Sequence, residues 1–266
     1  MAIERQSGGD LRAGVPVVFT DRKGRLYYDQ LKDGSTSNCG GKLIDHDDLI
    51  GQPDGLRVKS RQGPYFRVLS ATMHQHMVLM SRHAQIITPK DAAILTAWAD
   101  LMPGSRVVEG GLGSGALAMA ILARIGPTGH LTTYELRQEP ANLALKNIEA
   151  ILGAPTNHAL RIADIYEGIT ERDVDHVILD VPEPWRGLEA AASALRHGGH
   201  FAAYVPTAIQ MQELVLELER SSAFAYSESV ETILRNWHVT SRSLRPEHKM
   251  IGHTGFLVFA RRIASD

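Results

Sequence analysis

The sequence predicts an α/β fold in which a mostly parallel sheet carries an antiparallel strand at one edge and follows a small β-rich domain. A glycine turn joins an apolar strand to a helix at V-V-E-G-G-L-G-S-G-A-L, residues 107–117. Strand-like segments with helix-like segments among them then follow through residue 221, which favours a parallel sheet. The last two strand-like segments, 227–234 and 255–260, have no helix between them. Such strands pair as an antiparallel ribbon at a sheet edge.

A small N-terminal domain is predicted for residues 1–72. Short β-like runs alternate there with turns rich in Gly, Asp and Asn, as in a small barrel or sandwich. The clearest runs are 16–20, 26–28 and 66–69. A linker helix is predicted for residues 71–82, and a second domain for residues 73–266. The chain of 266 residues is long enough for two domains.

The second domain is predicted to combine strands with helices. It begins with a helix at 89–101 whose first residue is proline, a favoured N1 residue. After the strand that ends at Val108, the predicted strands are 130–134, 160–163, 176–179 and 199–205, and the predicted helices are 116–124, 140–152 and 208–221.

The glycine turn is the first candidate binding site. Glycines let the backbone turn sharply with no Cβ in the way, and the amides at the start of the following helix face the turn. The cofactor-binding candidates here are Gly111, Leu112, Gly113, Ser114 and Gly115. With Ala116 in third place after Gly113, the turn also satisfies the dinucleotide fingerprint, so a nicotinamide cofactor stays an alternative at this point.

Three successive predicted strands end in acids: Glu135, Asp164 and Asp180. In an open α/β sheet the ligand lies beyond the carboxyl ends of the strands, so these acids and the glycine turn are expected to line one crevice. Glu135 follows the glycines by about 20 residues, where an acid reaches ribose hydroxyls. Each acid taken alone also suits a helix N-cap or a solvated turn. Three acids in register favour the crevice.

The E-x-G-x-G-x-G turn together with the antiparallel ending resembles the class I S-adenosylmethionine-dependent methyltransferases, which have a Rossmann-like sheet. A nicotinamide enzyme would more often continue with a second βαβ half. Four segments sharpen the resemblance: Q-I-I-T-P-K-D (85–91), E-G-G-L-G-S-G-A-L (109–117), L-D-V-P-E-P-W (179–185) and R-P-E-H-K-M-I-G-H-T-G-F-L (245–257). Together they look like the TrmI family, the tRNA adenine-N1 methyltransferases that modify the T-loop adenosine at position 58.

The resemblance covers nearly the whole chain and implies S-adenosylmethionine as cofactor, tRNA as substrate and a homotetramer. Carried over by position, the glycine turn, Glu135 and Asp164 hold the cofactor, and Asp180 lies between cofactor and adenine as the catalytic residue. A carboxylate there suits the positive charge that methylated adenine develops. The implied substrate-binding residues are Thr88, Trp185, Arg245, Lys249 and His253.

One residue departs from the family pattern. The family commonly has tyrosine where this chain has Thr88, and that ring is implied to pack near the target base. Threonine cannot stack on a base, which puts in doubt how the base is held. The chain also has Val181-Pro182 after Asp180, where proline stiffens the loop.

The formal net charge of −2 argues against a uniform electrostatic attraction to RNA, so cations must cluster if tRNA is the partner. Between 235 and 262 the sequence has six Lys or Arg against one acid, Glu247. A second cluster in the N-terminal domain has Arg57, Lys59, Arg61 and Arg67 around Tyr65 and Phe66. Cations beside aromatic rings suit RNA, although a solvated strand face gives the same pattern.

Several classes of protein are disfavoured. No apolar run approaches the length of a membrane span, and the chain opens with no signal peptide pattern, so a cytoplasmic protein is expected. Cys39 is the only cysteine, which excludes an internal disulfide and a cysteine-rich metal site. His74 and His76 point to different faces of a helix, so no metal site is expected.

Two further alternatives remain open. One is a methyltransferase of the same fold that acts on a small molecule, such as a corrinoid precursor, or on protein isoaspartate. Such an enzyme would have no reason to carry the basic segment 235–262 or the sequence P-E-P-W at 182–185. The other is a non-catalytic, RNA-binding paralogue, whose mark would be a broken glycine turn. The intact turn and the three acids favour an active subunit.

Overall fold

The computed structural model describes residues 9–264. Its N-terminal part consists of short strands joined by turns. They are β1 (Pro16–Thr20), β2 (Leu26–Gln30), β3 (Thr36–Asn38), β4 (Leu43–Asp45), β5 (Arg57–Lys59) and β6 (Tyr65–Ser70). Four of them form an antiparallel sheet in the order β2-β1-β6-β5, and β3 and β4 form a separate ribbon. Alternate side chains of β6 are buried, as expected for a strand with one solvated face.

This sheet has its own hydrophobic core, in which Phe19, Leu31 and Phe66 are buried. Cys39 belongs to the same core, and burial raises the pKa of its thiol to about 12. The cysteine is therefore a buried structural thiol at neutral pH.

Two helices follow, α1 (Met73–Leu79) and α2 (Pro89–Trp98). A capping box starts α1: the Thr72 hydroxyl accepts a hydrogen bond from the Gln75 amide, and the Gln75 side chain accepts one from the Thr72 amide. The buried His76 joins the two parts of the chain, since its Nδ1 lies 2.8 Å from the Tyr28 hydroxyl and its Nε2 lies 2.8 Å from the Asn147 carbonyl oxygen. No cluster of three or more potential metal ligands occurs among residues 9–264.

The rest of the chain builds a seven-stranded sheet with flanking helices. In chain order the elements are β7 (Arg106–Gly110), α3 (Ala116–Ile125), β8 (His130–Glu135), α4 (Gln138–Leu152), β9 (His158–Ile162), β10 (Val174–Leu179), α5 (Leu188–Ala194), β11 (Leu195–Val205), α6 (Ala208–Arg220), β12 (Phe224–Glu231), β13 (Trp237–Thr240), β14 (Ser243–Pro246) and β15 (Phe256–Arg262). Short 3₁₀ turns lie at Ile165–Glu167 and Pro184–Gly187.

The strand order of this sheet is β12-β15-β11-β10-β7-β8-β9. The pairs from β11 through β9 are all parallel, whereas β15 runs antiparallel to both of its neighbours, β11 and β12. The predicted fold class is therefore confirmed, and the last two sheet strands pair as expected. The antiparallel strand lies next to the edge strand β12 rather than at the edge itself.

Some element boundaries differ from the sequence predictions. Helix α4 begins at Gln138, so Pro140 lies in the first turn, where its missing N–H breaks no helical bond. Strand β12 ends at Glu231, and the apolar Ile233 and Leu234 that extended the predicted strand are exposed beyond it. The hairpin β13–β14 and the short helix α5 were not predicted. No helix of residues 9–264 is both long and apolar enough to cross a membrane.

Candidate active site

The glycine turn connects β7 to α3 with three glycines in the left-handed region. The φ angles are +89° at Gly111, +53° at Gly113 and +86° at Gly115. A Cβ on Gly111 would lie 2.2 Å from the Asp180 carbonyl oxygen, whereas a Cβ on Gly113 would meet no heavy atom within 4 Å. Glycine is therefore required at position 111, because a side chain there would collide with the backbone of Asp180. Gly113 instead presents bare backbone to open space, where a ligand can lie against it.

The acids predicted at the strand ends lie at one end of the parallel sheet. The register pairs Gly110 with Tyr134 on one side and with Leu179 on the other, so Glu135 and Asp180 immediately follow residues that flank the turn. Asp164 follows the end of β9 at the same edge of the sheet. The structure thus brings all three predicted acids to the carboxyl ends of the strands, where ligands bind in such folds.

Glu135 and Asp164 also stabilise the turns that follow them. Glu135 accepts a hydrogen bond from the Arg137 amide at 3.0 Å, and Asp164 accepts one from the Tyr166 amide at 2.9 Å. Each hydrogen bond uses one carboxylate oxygen, and that of Asp164 caps the 3₁₀ turn at Ile165–Glu167. Among the described residues no hydrogen-bond donor reaches the second oxygen of either side chain. These hydrogen bonds and a role toward a ligand are therefore compatible in both residues.

Asp180 has a different environment. Its amide donates a hydrogen bond to the Gly110 carbonyl oxygen at 2.8 Å, which fixes its backbone beside the turn. Its half-buried carboxyl group accepts no hydrogen bond from any described residue. Burial raises the pKa of Asp180 to about 7. An unpartnered acid that titrates near neutral pH in a crevice is typical of a functional residue.

Glu109, the residue before Gly110, is fully buried behind the turn. Its Oε2 accepts a hydrogen bond of 2.7 Å from the Thr133 hydroxyl, and its Oε1 is buried with no partner in the described structure. Burial raises the pKa of Glu109 to about 8. The hydrogen bond from Thr133 lowers this pKa, and the nearby charges of Asp180 and Glu135 raise it further. The side chain is therefore mostly protonated at neutral pH.

The loop that follows Asp180 carries Trp185 in a 3₁₀ turn. The ring packs half-buried against the hydrophobic core beneath β10. Two hydrogen bonds fix this loop: the Glu183 amide donates to the Tyr166 hydroxyl at 3.0 Å, and the Gln210 side chain donates to the Pro182 carbonyl oxygen at 2.9 Å. The position of Trp185 relative to Asp180 is therefore well defined, and a contact between its ring and the substrate stays a prediction.

Thr88 lies at the N-cap of α2. Its hydroxyl donates a hydrogen bond of 2.8 Å to Asp91, a fully buried carboxylate that sequence reasoning did not single out. Asp91 forms an ion pair with Lys90 at 2.7 Å. Both residues also contact Thr232 and Thr254, which lie far away in the sequence. The segments P-K-D and G-H-T, noted separately in the sequence, therefore meet in one buried polar network.

The remaining substrate-binding candidates lie on or at the base of the β13–β14 hairpin. Arg245 is on β14 opposite His238, and Lys249 is exposed just beyond that strand. His253 lies at the base, where its Nδ1 is 2.6 Å from Glu231 and its Nε2 is 2.8 Å from the Pro206 carbonyl oxygen. Both ring nitrogens of His253 are thus engaged within the chain. A substrate contact by any of these side chains stays a prediction.

Comparison with known proteins places this arrangement in a family. Residues 64–247 match the family described as tRNA methyltransferase complex GCD14 subunit, and residues 9–58 match the family described as TrmI-like N-terminal. The tRNA (adenine(58)-N(1))-methyltransferase TrmI of Thermus thermophilus is 33% identical over 93% of this chain and 96% of that protein. The tRNA (adenine(57)-N(1)/adenine(58)-N(1))-methyltransferase TrmI of Methanocaldococcus jannaschii is 32% identical over 92% of this chain and 94% of that protein.

Solved structures agree over nearly the full length. A SAM-dependent O-methyltransferase from Thermotoga maritima superposes with a TM-score of 0.90 at 28% identity, covering 97% of this chain and 96% of that one. The tRNA (m1A58) methyltransferase TrmI from Aquifex aeolicus superposes with a TM-score of 0.83 at 28% identity, covering 96% of this chain and 100% of that one. With the glycine turn and the acids at the strand ends in place, these similarities show that the chain belongs to the TrmI family of S-adenosylmethionine-dependent tRNA (adenine-58-N1) methyltransferases.

Proposed function

We propose that this protein transfers a methyl group from S-adenosylmethionine to N1 of adenosine 58 in the T-loop of tRNA. The relatives from Thermus thermophilus and Aquifex aeolicus bear that activity in their names. The observation that carries the proposal for this chain is Asp180, an unpartnered acid whose backbone is bonded to Gly110 beside an intact glycine turn. A non-catalytic paralogue would have no need of such a group.

The residues present fit the cofactor. The open space over Gly113 accommodates a ligand against bare backbone, and a side chain there would fill it. Gly111 to Gly115 would hold the methionine part, as amides at the start of a helix suit a carboxylate. Glu135 would accept hydrogen bonds from the ribose hydroxyls, and Asp164 would bind at the adenine side of the crevice.

When bound, S-adenosylmethionine supplies a methyl group on a sulfonium: the N1 lone pair forms the new N–C bond while the C–S bond breaks and its electrons stay on the sulfur. The protein contributes mainly by positioning, because holding two reactants in near-attack geometry supplies on the order of 7 to 11 kcal/mol in well-oriented systems. The rigid link between Asp180 and the glycine turn serves that purpose, since it fixes the acid relative to the cofactor site.

Asp180 has a second role in the proposed reaction. Adenine gains positive charge as N1 is methylated, and a carboxylate beside it stabilises that charge. The same group accepts a hydrogen bond from the exocyclic amine, which orients N1 toward the methyl group. The raised pKa of Asp180, about 7, means that the useful carboxylate form increases as the pH rises through neutrality.

The T-loop adenosine is buried in folded tRNA, so the protein must also extract the base and hold the RNA backbone. Two basic surfaces support this role. One is the hairpin segment, where Arg245 is half-buried and Lys249 is exposed. The other is the solvated face of β5 and β6, where Arg57 stands directly opposite Arg67 and also lies 4.1 Å above the Tyr65 ring. Like charges in register destabilise a sheet, and an anionic partner such as RNA relieves that repulsion.

We further propose that the chain assembles as a homotetramer in the cytoplasm, where its tRNA substrate is found. Several large apolar side chains on the hairpin and just beyond it are exposed in the single chain, among them Trp237, Val239, Leu244 and Ile251. Apolar patches of this kind mark association surfaces. Sedimentation equilibrium on the purified protein gives the mass directly, and a monomer would contradict the proposal.

The proposed activity is tested by methyl transfer from labelled S-adenosylmethionine to unmodified tRNA, followed by mapping of the modified nucleotide. A matched tRNA with uridine at position 58 serves as the control. We expect label on the first RNA and none on the second. Label at another position, or transfer only to a small molecule or protein, would refute the assignment to adenosine 58.

A further inference from the structure

The Lys90–Asp91 ion pair lies where three distant parts of the chain meet. Asp91 is fully buried, and the Lys90 side chain is 15% exposed. The Lys90 ammonium reaches the Thr232 carbonyl oxygen at 2.7 Å and the Thr254 hydroxyl at 2.7 Å. Asp91 accepts hydrogen bonds from the hydroxyls of Thr88, Thr232 and Thr254. A buried ion pair with its remaining hydrogen-bonding groups satisfied in this way is a rigid contact.

Thr232 and Thr254 flank a mostly exposed segment, 233–252, which contains the β13–β14 hairpin. Large apolar side chains along it are solvent-exposed, including Trp237 at 57% and Leu244 at 73%. The segment therefore packs little against the rest of its own chain. The same ion pair fastens both of its ends, and a contact between His253 and Glu231 links the two ends to each other.

Tyr204 connects this network with the cofactor crevice. Its hydroxyl donates a hydrogen bond to the Thr254 carbonyl oxygen, and its ring packs directly against Gly255. Burial raises the pKa of Tyr204 to about 12, and the charges of Asp91 and Asp180 add to the effect. The register pairs Leu179 of β10 with Ala203 of β11, so Asp180 and Tyr204 each follow a paired residue on neighbouring strands. Tyr204 therefore links the network, through Thr254, to the strand end that carries Asp180.

We propose that Lys90 and Asp91 are positioning residues for methyl transfer, because their ion pair anchors both ends of segment 233–252 and Thr88 to the body of the catalytic domain beside Asp180. The anchored segment carries Arg245 and Lys249, so its placement determines where tRNA is held relative to the methyl group. The role in catalysis rests on the proposed function, whereas the anchoring itself does not.

The test uses three forms of the full-length protein. Asp91→Asn removes one charge and leaves the Lys90 ammonium buried without its counter-ion, which also weakens folding. The double variant Lys90→Met with Asp91→Leu removes both charges and restores apolar packing, so it separates loss of anchoring from loss of stability. Arg161→Gln, which breaks the ion pair between Arg161 on β9 and Glu171 at the opposite edge of the sheet from β12, is the control.

Hydrogen exchange of the RNA-free proteins decides whether the anchor exists. In both Lys90/Asp91 variants we expect amide exchange within 233–252 to accelerate by about tenfold or more, with α3 and β7 unchanged. The Arg161→Gln control should match the wild type in that segment. Wild-type exchange in the double variant would overturn the proposal, and this readout is valid whatever the substrate.

Kinetics decide whether the anchor serves the reaction. We expect the KM for tRNA to rise by about tenfold or more in the double variant while cofactor affinity, measured by calorimetric titration, stays within about threefold of the wild type. Accelerated exchange with an unchanged KM for tRNA would overturn the positioning role. A wild-type protein that methylates no tRNA would refute the proposed function and leave the exchange result intact.

Discussion

The backbone amide of Asp180 donates its hydrogen bond to the carbonyl oxygen of Gly110, at 2.8 Å. This bond joins the residue after β10 to the last residue of β7, so the acid and the glycine turn cannot move independently. Substitution of the Asp180 side chain leaves this backbone contact in place. The chemistry of the carboxyl group can therefore be tested without disturbing the cofactor site.

We predict that Asp180→Asn lowers the single-turnover methylation rate by roughly 10²- to 10⁴-fold with tRNA affinity nearly unchanged, because asparagine cannot supply the charge. If the Asp180 side chain had only a structural role, asparagine would serve almost as well, since it has nearly the same size and shape. A rate within about threefold of the wild type would rule out the catalytic role. In the wild type the rate should rise with pH until it levels above about 7, as Asp180 loses its proton.

Gly113→Ala and Gly111→Ala are predicted to fail in different ways. A Cβ at Gly113 enters open space over the turn, so that variant should fold and bind S-adenosylmethionine at least about tenfold more weakly. A Cβ at Gly111 collides with the Asp180 carbonyl oxygen, so that variant should lose thermal stability. Calorimetric titration and thermal unfolding of both proteins check this. Wild-type cofactor affinity in Gly113→Ala would show that the turn is only structural. The same titration with NAD should give no binding.

Glu109→Gln should stabilise the protein increasingly as the pH rises. The pKa of Glu109 is about 8 in the folded protein and near its ordinary value of 4.5 in the unfolded chain. Between these values the folded wild type binds the extra proton, so its free energy of unfolding falls with rising pH by up to about 1.4 kcal/mol per pH unit. Glutamine has no such dependence. Denaturant unfolding at several pH values measures the difference, and a difference that is constant with pH would show that Glu109 is ionised throughout.

Thr88→Val and Thr88→Tyr form a matched pair. Both lose the hydroxyl that donates to Asp91, which should cost about 1 kcal/mol of stability. Only tyrosine adds a ring that can stack on the target base. If this residue lies against the base, the tyrosine variant should methylate tRNA about fivefold or more faster than the valine variant under single-turnover conditions. Equal rates would place the base elsewhere.

Arg245→Ala and Lys249→Ala should weaken binding to all tRNAs alike and flatten its salt dependence by about one phosphate contact each. Lys146→Ala, an exposed cation on α4, is the charge-matched control. Binding constants measured over a range of salt concentrations give the slopes. Unchanged slopes in both hairpin variants would move the RNA surface away from this segment, with the face around Arg57 and Arg67 as the next candidate.

The features that sequence predicted well are local in the chain. The turn at Gly111 to Gly115 follows from glycines between an apolar strand and a helix, and Glu135, Asp164 and Asp180 follow from the rule that acids after parallel strands share one edge of the sheet. Both inferences use neighbours within a few residues or one general property of α/β folds. The structure places these residues where the sequence predicted them.

The features that sequence missed depend on contacts between distant residues. Asp91 meets Thr232 and Thr254 across 141 and 163 residues, and a P-K-D segment by itself looks like an ordinary helix start. The β13–β14 hairpin was missed because its apolar residues face solvent in the single chain, so the pattern of burial that identifies a strand is absent there. The protonation of Glu109 depends on burial that only the fold defines.

The strand order has a consequence for how the protein is made. Strand β12 has β15 as its only neighbour within the described sheet, and β15 also covers the flank of β11. The parallel core from β9 to β11 is synthesised before β15, while its open flank still exposes unpaired backbone groups. During translation this flank remains available to other chains until residues 256–262 are in place. The final strand thus limits the period in which the growing chain is prone to aggregate.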